Sequence, residues 1–136
     1  MYSSEVIVRV RYGETDKMGY VYYGNYPLYY EVGRTELIRK LNLTYKELEE
    51  LGVMLPVRSL NIKYYKPAEY DNEIRIVTTI KQFPSSKISF FCELYNENND
   101  LLNTSETNLA FIDSKSRRPC RPPEILLNKL KPFFDI

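Results

Sequence analysis

Histidine and tryptophan are both absent from the 136 residues, and cysteine occurs only twice. Without an imidazole there is no Ser-His-Asp triad, no Cys-His pair and no His-bearing zinc site, because histidine is the usual base near neutral pH and the commonest metal ligand. The two thiols, Cys92 and Cys120, stand far apart with no Cys-x-x-Cys spacing. Both read as ordinary thiols, and neither a structural zinc nor a redox pair is expected. An excess of one charge is missing too: 19 Lys and Arg against 18 Asp and Glu leave a net charge of +1. That argues against nucleic acid or an anionic membrane as a partner, since both select basic proteins. No apolar run approaches the roughly 20 residues that span a bilayer, and Met1 to Glu5 lacks the basic-then-apolar order of a secretory leader. A protein of the reducing cytoplasm, with no metal and no cofactor, is the expectation. No repeat, low-complexity tract or Gly/Ser linker divides the chain, which reads as a single domain over residues 1–136.

Present instead are 43% hydrophobic residues, enough for a real core, and 13 Tyr beside 6 Phe, so the aromatic surface is largely phenolic. In Glu5 to Tyr12, the residues Val6, Val8, Val10 and Tyr12 alternate with Ile7, Arg9 and Arg11, and this period of two predicts a half-buried strand. Gly13 to Gly24 reads as a loop with aromatic anchors. From Tyr26 to Leu41 the positions Tyr26, Tyr29, Tyr30, Gly33, Leu37 and Leu41 recur at helical spacing, opposite Glu31, Arg34, Glu36, Arg39 and Lys40. Asn25 is placed to cap this helix and Pro27 suits its first turn. A second, short helix is expected from Tyr45 to Leu51, with Thr44 as cap, Glu47 in capping-box position and Gly52 as its stop.

Four strands follow: Leu55 to Tyr65, Glu73 to Phe83, Lys87 to Asn96 and Leu101 to Ile112. Their breakers are short, which predicts antiparallel hairpins between successive strands. Ser114 to Pro123 is basic and proline-rich, and Glu124 to Leu130 suits a closing helical turn or two. Strand, long helix, short helix, then four strands is an α+β plan. One helix does not cover five long strands, so the sheet is expected to wrap around it and to meet a partner subunit at an edge or on its other face.

With histidine gone, a base or nucleophile must be a carboxylate, cysteine, lysine or tyrosine. Asp16 lies in the loop ahead of the long helix, whose first turn directs unpaired N–H groups and the positive end of its dipole toward that loop. A carboxylate beside N–H donors is the minimum equipment for hydrolysing an activated acyl group. On spacing alone, Glu14, Thr15 and Asp16 read first as turn-forming or helix-capping groups, and Tyr22, Tyr26, Tyr29 and Tyr30 as packing rather than a substrate platform. Cys92, in mid-strand, needs only burial to explain it.

The run from Arg9 to Arg39 resembles the hotdog-fold acyl-CoA thioesterases of the 4-hydroxybenzoyl-CoA thioesterase type. Thr15-Asp16, Gly19, Val21-Tyr22, Asn25-Tyr26, and Glu31 with Arg34-Thr35-Glu36 carry the resemblance, and Ile62 to Asn72 extends it. The resemblance implies an antiparallel sheet of about five strands wrapped around one long helix, paired into a homodimer or homotetramer with each active site at a subunit interface. It places the catalytic carboxylate, as general base or nucleophile, on Asp16, and the oxyanion donor on the backbone N–H of Tyr23, seven residues later. Many relatives have histidine at that position and aspartate where this chain has Glu14, which reads as a conservative difference one layer behind the catalytic group.

The expected activity is hydrolysis of an acyl-CoA to free acid and CoA. The alternatives are an acyl-carrier-protein thioesterase, with Arg34, Arg39 and Lys40 meeting the carrier, and a non-catalytic acyl-binding module. Tyr22, Tyr26, Lys63, Lys66, Ser86 and Lys87 are the candidate substrate contacts, with Arg117 and Arg118 as further cations for phosphate. The acyl lining is expected among Tyr22, Tyr30, Met54, Leu55 and Leu60. A dehydratase of the same fold characteristically uses a histidine, which this chain does not have.

Overall fold

The computed structural model describes residues 1–136. It is built from β1 (Tyr2–Arg9), α1 (Tyr26–Arg39), α2 (Tyr45–Glu50), β2 (Val53–Met54), β3 (Val57–Tyr64), β4 (Glu73–Ile80), β5 (Lys87–Tyr95), β6 (Leu101–Ala110), β7 (Ile112–Asp113) and α3 (Glu124–Leu130). Five strands form one antiparallel sheet in the order β1-β4-β5-β6-β3, with β2 and β7 as a separate pair. A five-stranded antiparallel sheet holding one long helix is the α+β architecture expected from the sequence.

Three local expectations change. The first strand begins at Tyr2 and ends at Arg9, because Val10 leaves the ladder to exchange bonds with Asn72 and Asp71 and Tyr12–Glu14 winds into a short 3-10 turn. Asn25 does not cap α1 with its side chain; its Nδ2 donates instead to the Glu14 carbonyl at 2.9 Å. Nor do β3 and β4 form a hairpin. β3 pairs only with β6 and lies at the sheet edge, since the connecting residues cross the end of the sheet, where Tyr65 and Lys66 donate to Leu102 and Ala68 accepts from Val21. At α2 the Thr44 hydroxyl does accept from the Glu47 N–H at 3.1 Å. Thr44→Ala is expected to cost about 1 kcal/mol of stability, checked by urea unfolding.

The core lies between α1 and the concave face of the sheet, in two halves. Around the start of α1, Tyr26, Tyr29 and Tyr30 pack on Ile74, Ile76, Leu94 and Leu102. Around its end, Leu37 and Ile38 pack on Ile80, Ile88, Phe90 and Phe111. Midway, cross-strand partners set a row of small polar side chains under the helix: Thr78 opposite Cys92, and Cys92 opposite Ser105. α1 crosses that row at Gly33, where an added Cβ would stand 2.7 Å from Ile76 Cγ2 and closer still to Thr78 Oγ1. The sheet therefore seats the helix by contact with its backbone.

Candidate active site

The segment between β1 and α1 is a loop held at both ends. Asp16 N–H donates to the Tyr20 carbonyl at 2.8 Å and Gly19 N–H returns to the Asp16 carbonyl at 3.0 Å. Gly19 has φ of +79°, a conformation glycine adopts without penalty. Inside this turn Asp16 Oδ1 accepts from the Met18 N–H at 2.9 Å and the Tyr20 N–H at 3.3 Å. Its other oxygen, Oδ2, has no protein donor. The turn is fastened to the β3–β4 connection by Val21 N–H to Ala68 O at 2.8 Å and Tyr70 N–H to Gly19 O at 2.9 Å. Asp16 lines an open cleft of about 750 Å³ with Tyr12, Thr15, Lys17 and Tyr70. The Tyr12 and Tyr70 rings meet edge-on, 5.6 Å apart, on one side of it.

Tyr23 opens the 3-10 turn that leads into α1, and its N–H makes none of the loop's backbone hydrogen bonds. Its exposed ring rests on Tyr22, with centroids 4.9 Å apart. Tyr26 is only 3% exposed, and its hydroxyl accepts from the Ala68 N–H at 3.1 Å. Burial pushes its pKa up, and the nearby Tyr64 and Asp16 charges add to this. Asp16, Tyr22, Tyr23 and Tyr26 thus belong to one loop-and-helix unit.

The other candidate contacts lie elsewhere on this chain. Lys63 is on the outer face of the sheet with Tyr65 and Lys81, and Lys66 pairs with Asp100 at 3.2 Å. Ser86 and Lys87 are at the β4–β5 turn, with Ser86 beside Cys120, at the end of the sheet where α1 finishes. Burial pushes the Cys92 thiol up, which suits a packed thiol rather than a nucleophile.

Glu14 has a larger role than its neighbours in sequence suggest. Its carboxylate accepts from the Arg11 N–H at 2.7 Å and from the Tyr29 hydroxyl at 2.8 Å, and pairs with the Arg11 guanidinium at 3.2 Å. Its carbonyl accepts from Tyr22 N–H and Asn25 Nδ2. One residue therefore ties the entry of the loop, its exit and the second turn of α1 together. Sequence spacing held only a weak hint of this, since Glu14 and Tyr29 become neighbours when the loop closes. Burial raises the Glu14 carboxyl, but the bonds from Arg11 and Tyr29 outweigh it and hold it below the usual carboxylate range. A lowered folded pKa contributes stability that is complete above the unfolded value of about 4.3 and is lost as pH falls through the folded one. Glu14→Gln should therefore be less stable than the parent at neutral pH and lose less further stability on acidification below about pH 4. Urea midpoints measured across that range check both effects.

Residues 10–130 match the family model of the thioesterase-like superfamily. The chain belongs to this superfamily. Within it, the chain is 32% identical over 124 residues to the acyl-CoA thioester hydrolase YbgC of Escherichia coli O157:H7, covering 91% of this chain and 92% of that protein. It is 32% identical over 133 residues to the acyl-CoA thioesterase YbgC of Helicobacter pylori 26695, covering 90% and 98%. Among solved structures, the DHNA-CoA thioesterase of Staphylococcus aureus superposes with a TM-score of 0.85 at 34% identity, over 89% of this chain and 81% of that one. SAV2348 of Staphylococcus aureus, solved in complex with CoA, shares the fold with a TM-score of 0.87 at 18% identity, over 98% of this chain and 85% of that one. The chain is a hotdog-fold thioesterase, and no helix in it is long and apolar enough to cross a membrane.

Proposed function

We propose that this chain hydrolyses acyl-CoA thioesters with Asp16 as the catalytic carboxylate and the Tyr23 N–H as the oxyanion donor. The observation that carries this reading is the division of labour within Asp16. One oxygen holds the turn through Met18 and Tyr20, and the other is left for chemistry. In the general-base form, Asp16 takes a proton from water as the water oxygen attacks the thioester carbon. The carbonyl oxygen gains the negative charge and is held by the Tyr23 N–H, aided by the start of α1. The C–S bond then breaks, the acid leaves as product, and the CoA sulfur takes up the proton. In the nucleophilic form, Asp16 itself attacks the thioester carbon, the C–S bond breaks and CoA leaves as a thiolate that takes up a proton, and water then opens the resulting anhydride at the Asp16 carbonyl carbon to release the acid. Hydrolysis in water enriched in oxygen-18, under single turnover, separates the two: label entering Asp16 marks the nucleophile.

CoA is favoured over an acyl carrier protein because two of the cations expected to meet a carrier are already engaged. Arg39 pairs with Glu36, and Lys40 Nζ donates to the Glu5 carbonyl at 2.7 Å. The relatives named above as acyl-CoA hydrolases agree with this choice. β3 supports pairing into a homodimer, or a homotetramer, because it is an edge strand with one free side and exposed Val57, Leu60 and Tyr64. Lys63, on β3, and Ser86 with Lys87 are the proposed phosphate contacts, serving the Asp16 of a neighbouring subunit, while Lys66, just after β3, is engaged with Asp100 and joins them only by exchanging that carboxylate for a phosphate. The two free thiols suit a reducing, cytoplasmic setting. Thiol release across a panel of acyl-CoA and acyl-carrier substrates tests the assignment. Turnover of CoA thioesters is the expected result, and copurifying acyl ligands with no turnover would mark a binding module instead.

A further inference from the structure

The β3–β4 connection lies against the Asp16 loop as a short extra strand. Tyr20 and Glu69 form an antiparallel bridge, Val21 N–H donates to the Ala68 carbonyl at 2.8 Å, and Tyr70 N–H donates to the Gly19 carbonyl at 2.9 Å. These bonds fix the turn that carries Asp16. Ala68 also reaches the other way, because its N–H donates to the Tyr26 hydroxyl at 3.1 Å. Tyr26 is the first residue of α1 and directly follows the 3-10 turn that Tyr23 opens. One residue thus holds the turn of the carboxylate through its carbonyl and, by way of Tyr26, the turn of the oxyanion donor through its N–H.

Neither end of this link is free to move. Ala68 is fully buried, and the Tyr26 ring is packed in the core with the Tyr29 and Tyr64 rings 6.1 and 5.6 Å from it. A buried N–H has no water to turn to, so removing the phenol oxygen leaves it unpaired. Glu14 ties the loop at its entry and exit, and Ala68 ties it in the middle, next to the turn that holds Asp16.

We propose, on the assignment of Asp16 and the Tyr23 N–H above, that the Tyr26 hydroxyl is a positioning group for the hydrolysis: through Ala68 it sets the separation between the carboxylate and the oxyanion donor, without touching substrate. Base and donor act on one thioester carbon and its oxygen, so their spacing enters the rate directly, and a displacement of about 1 Å costs about 10²-fold.

Tyr26→Phe keeps the ring and removes only the oxygen. Assayed by thiol release from the fastest acyl-CoA of the panel above, below a melting temperature measured on the same sample, its kcat should fall about 10- to 100-fold with KM within about twofold of the parent. Thr44→Ala, which loosens the cap of α2 outside the loop, should keep parental kcat. Because burial raises the Tyr26 pKa above its ordinary value, the hydroxyl stays protonated, and the kcat–pH profile of Tyr26→Phe should be lowered with its shape unchanged. Added to Asp16→Asn, which removes the group being positioned, Tyr26→Phe should cost about twofold or less. Parental kcat in Tyr26→Phe, a loss confined to KM, a missing limb of the pH profile, an equal loss in Thr44→Ala, full additivity with Asp16→Asn, or a Tyr26→Phe chain that does not fold would each overturn the proposal. Parental kcat in Asp16→Asn would overturn the assignment of Asp16, and the proposal with it.

Discussion

Asp16→Asn is expected to lower kcat for thioester hydrolysis by about 10²- to 10⁴-fold, the usual contribution of a positioned proton acceptor, with little change in KM. The turn around Asp16 should survive the change. An asparagine carbonyl oxygen accepts from Met18 and Tyr20 as Oδ1 does now, and Gly19 still supplies the positive φ. What disappears is the negative charge and the capacity to take a proton or attack a carbonyl. Because the chain contains no histidine, no imidazole stands by to replace it. A thiol-release assay that resolves kcat from KM, run beside a thermal melt, separates chemistry from folding. A variant with parental kcat would remove Asp16 from the mechanism, and one with parental kcat and raised KM would make it a binding group.

Gly33→Ala is expected to destabilise the protein although alanine is the better helix former. In a helix interior the exchange gains about 1 kcal/mol. Against that, the new Cβ would stand 2.7 Å from Ile76 Cγ2 and nearer to Thr78 Oγ1, both on stiff β-branched side chains of the interior strand β4. Overpacking of this kind costs about 1 to 3 kcal/mol, so the steric term meets or exceeds the propensity gain. Relief requires α1 to lift from the sheet. The 3-10 turn leading into α1 carries the Tyr23 N–H, and Tyr29 on the second turn of α1 holds Glu14, so the same movement should disturb the Asp16 loop. Since a misplacement of about 1 Å costs about 10²-fold in rate, activity should fall further than stability. Thermal melts and kcat measured together check both; an alanine variant as stable and as active as the parent would mean that α1 is not seated by this contact.

The two helices and the strands of β4, β5 and β6 were legible because their signals are local. Apolar period, Thr44 with Glu47, Gly52 and the short breakers act within a few residues of one another. The β3–β4 pairing was misread for the complementary reason. A breaker of ordinary turn length predicts a hairpin, yet the bonds from Tyr65 and Lys66 to Leu102 and from Val21 to Ala68 carry that segment across the sheet end. Asn25 was misjudged in the same way, since a good capping residue was taken up by the carbonyl of Glu14, eleven positions away.

The sequence by itself determined the α+β class, the absence of imidazole chemistry and, through the run from Arg9 to Arg39, the thioesterase family and Asp16 as its candidate carboxylate. The class and the missing imidazole follow from residue types and short spacings, which no packing can alter, while the family and the role of Asp16 rest on the resemblance that this run carries. Only the tertiary structure decided that Glu14 joins Arg11, Tyr29 and Asn25 into the scaffold of the loop, and that Gly33 is where the helix rests on Thr78. Each of those depends on residues from different elements arriving within hydrogen-bonding or van der Waals reach, a distance that is set by the closure of the sheet around α1 and is not written in any local pattern.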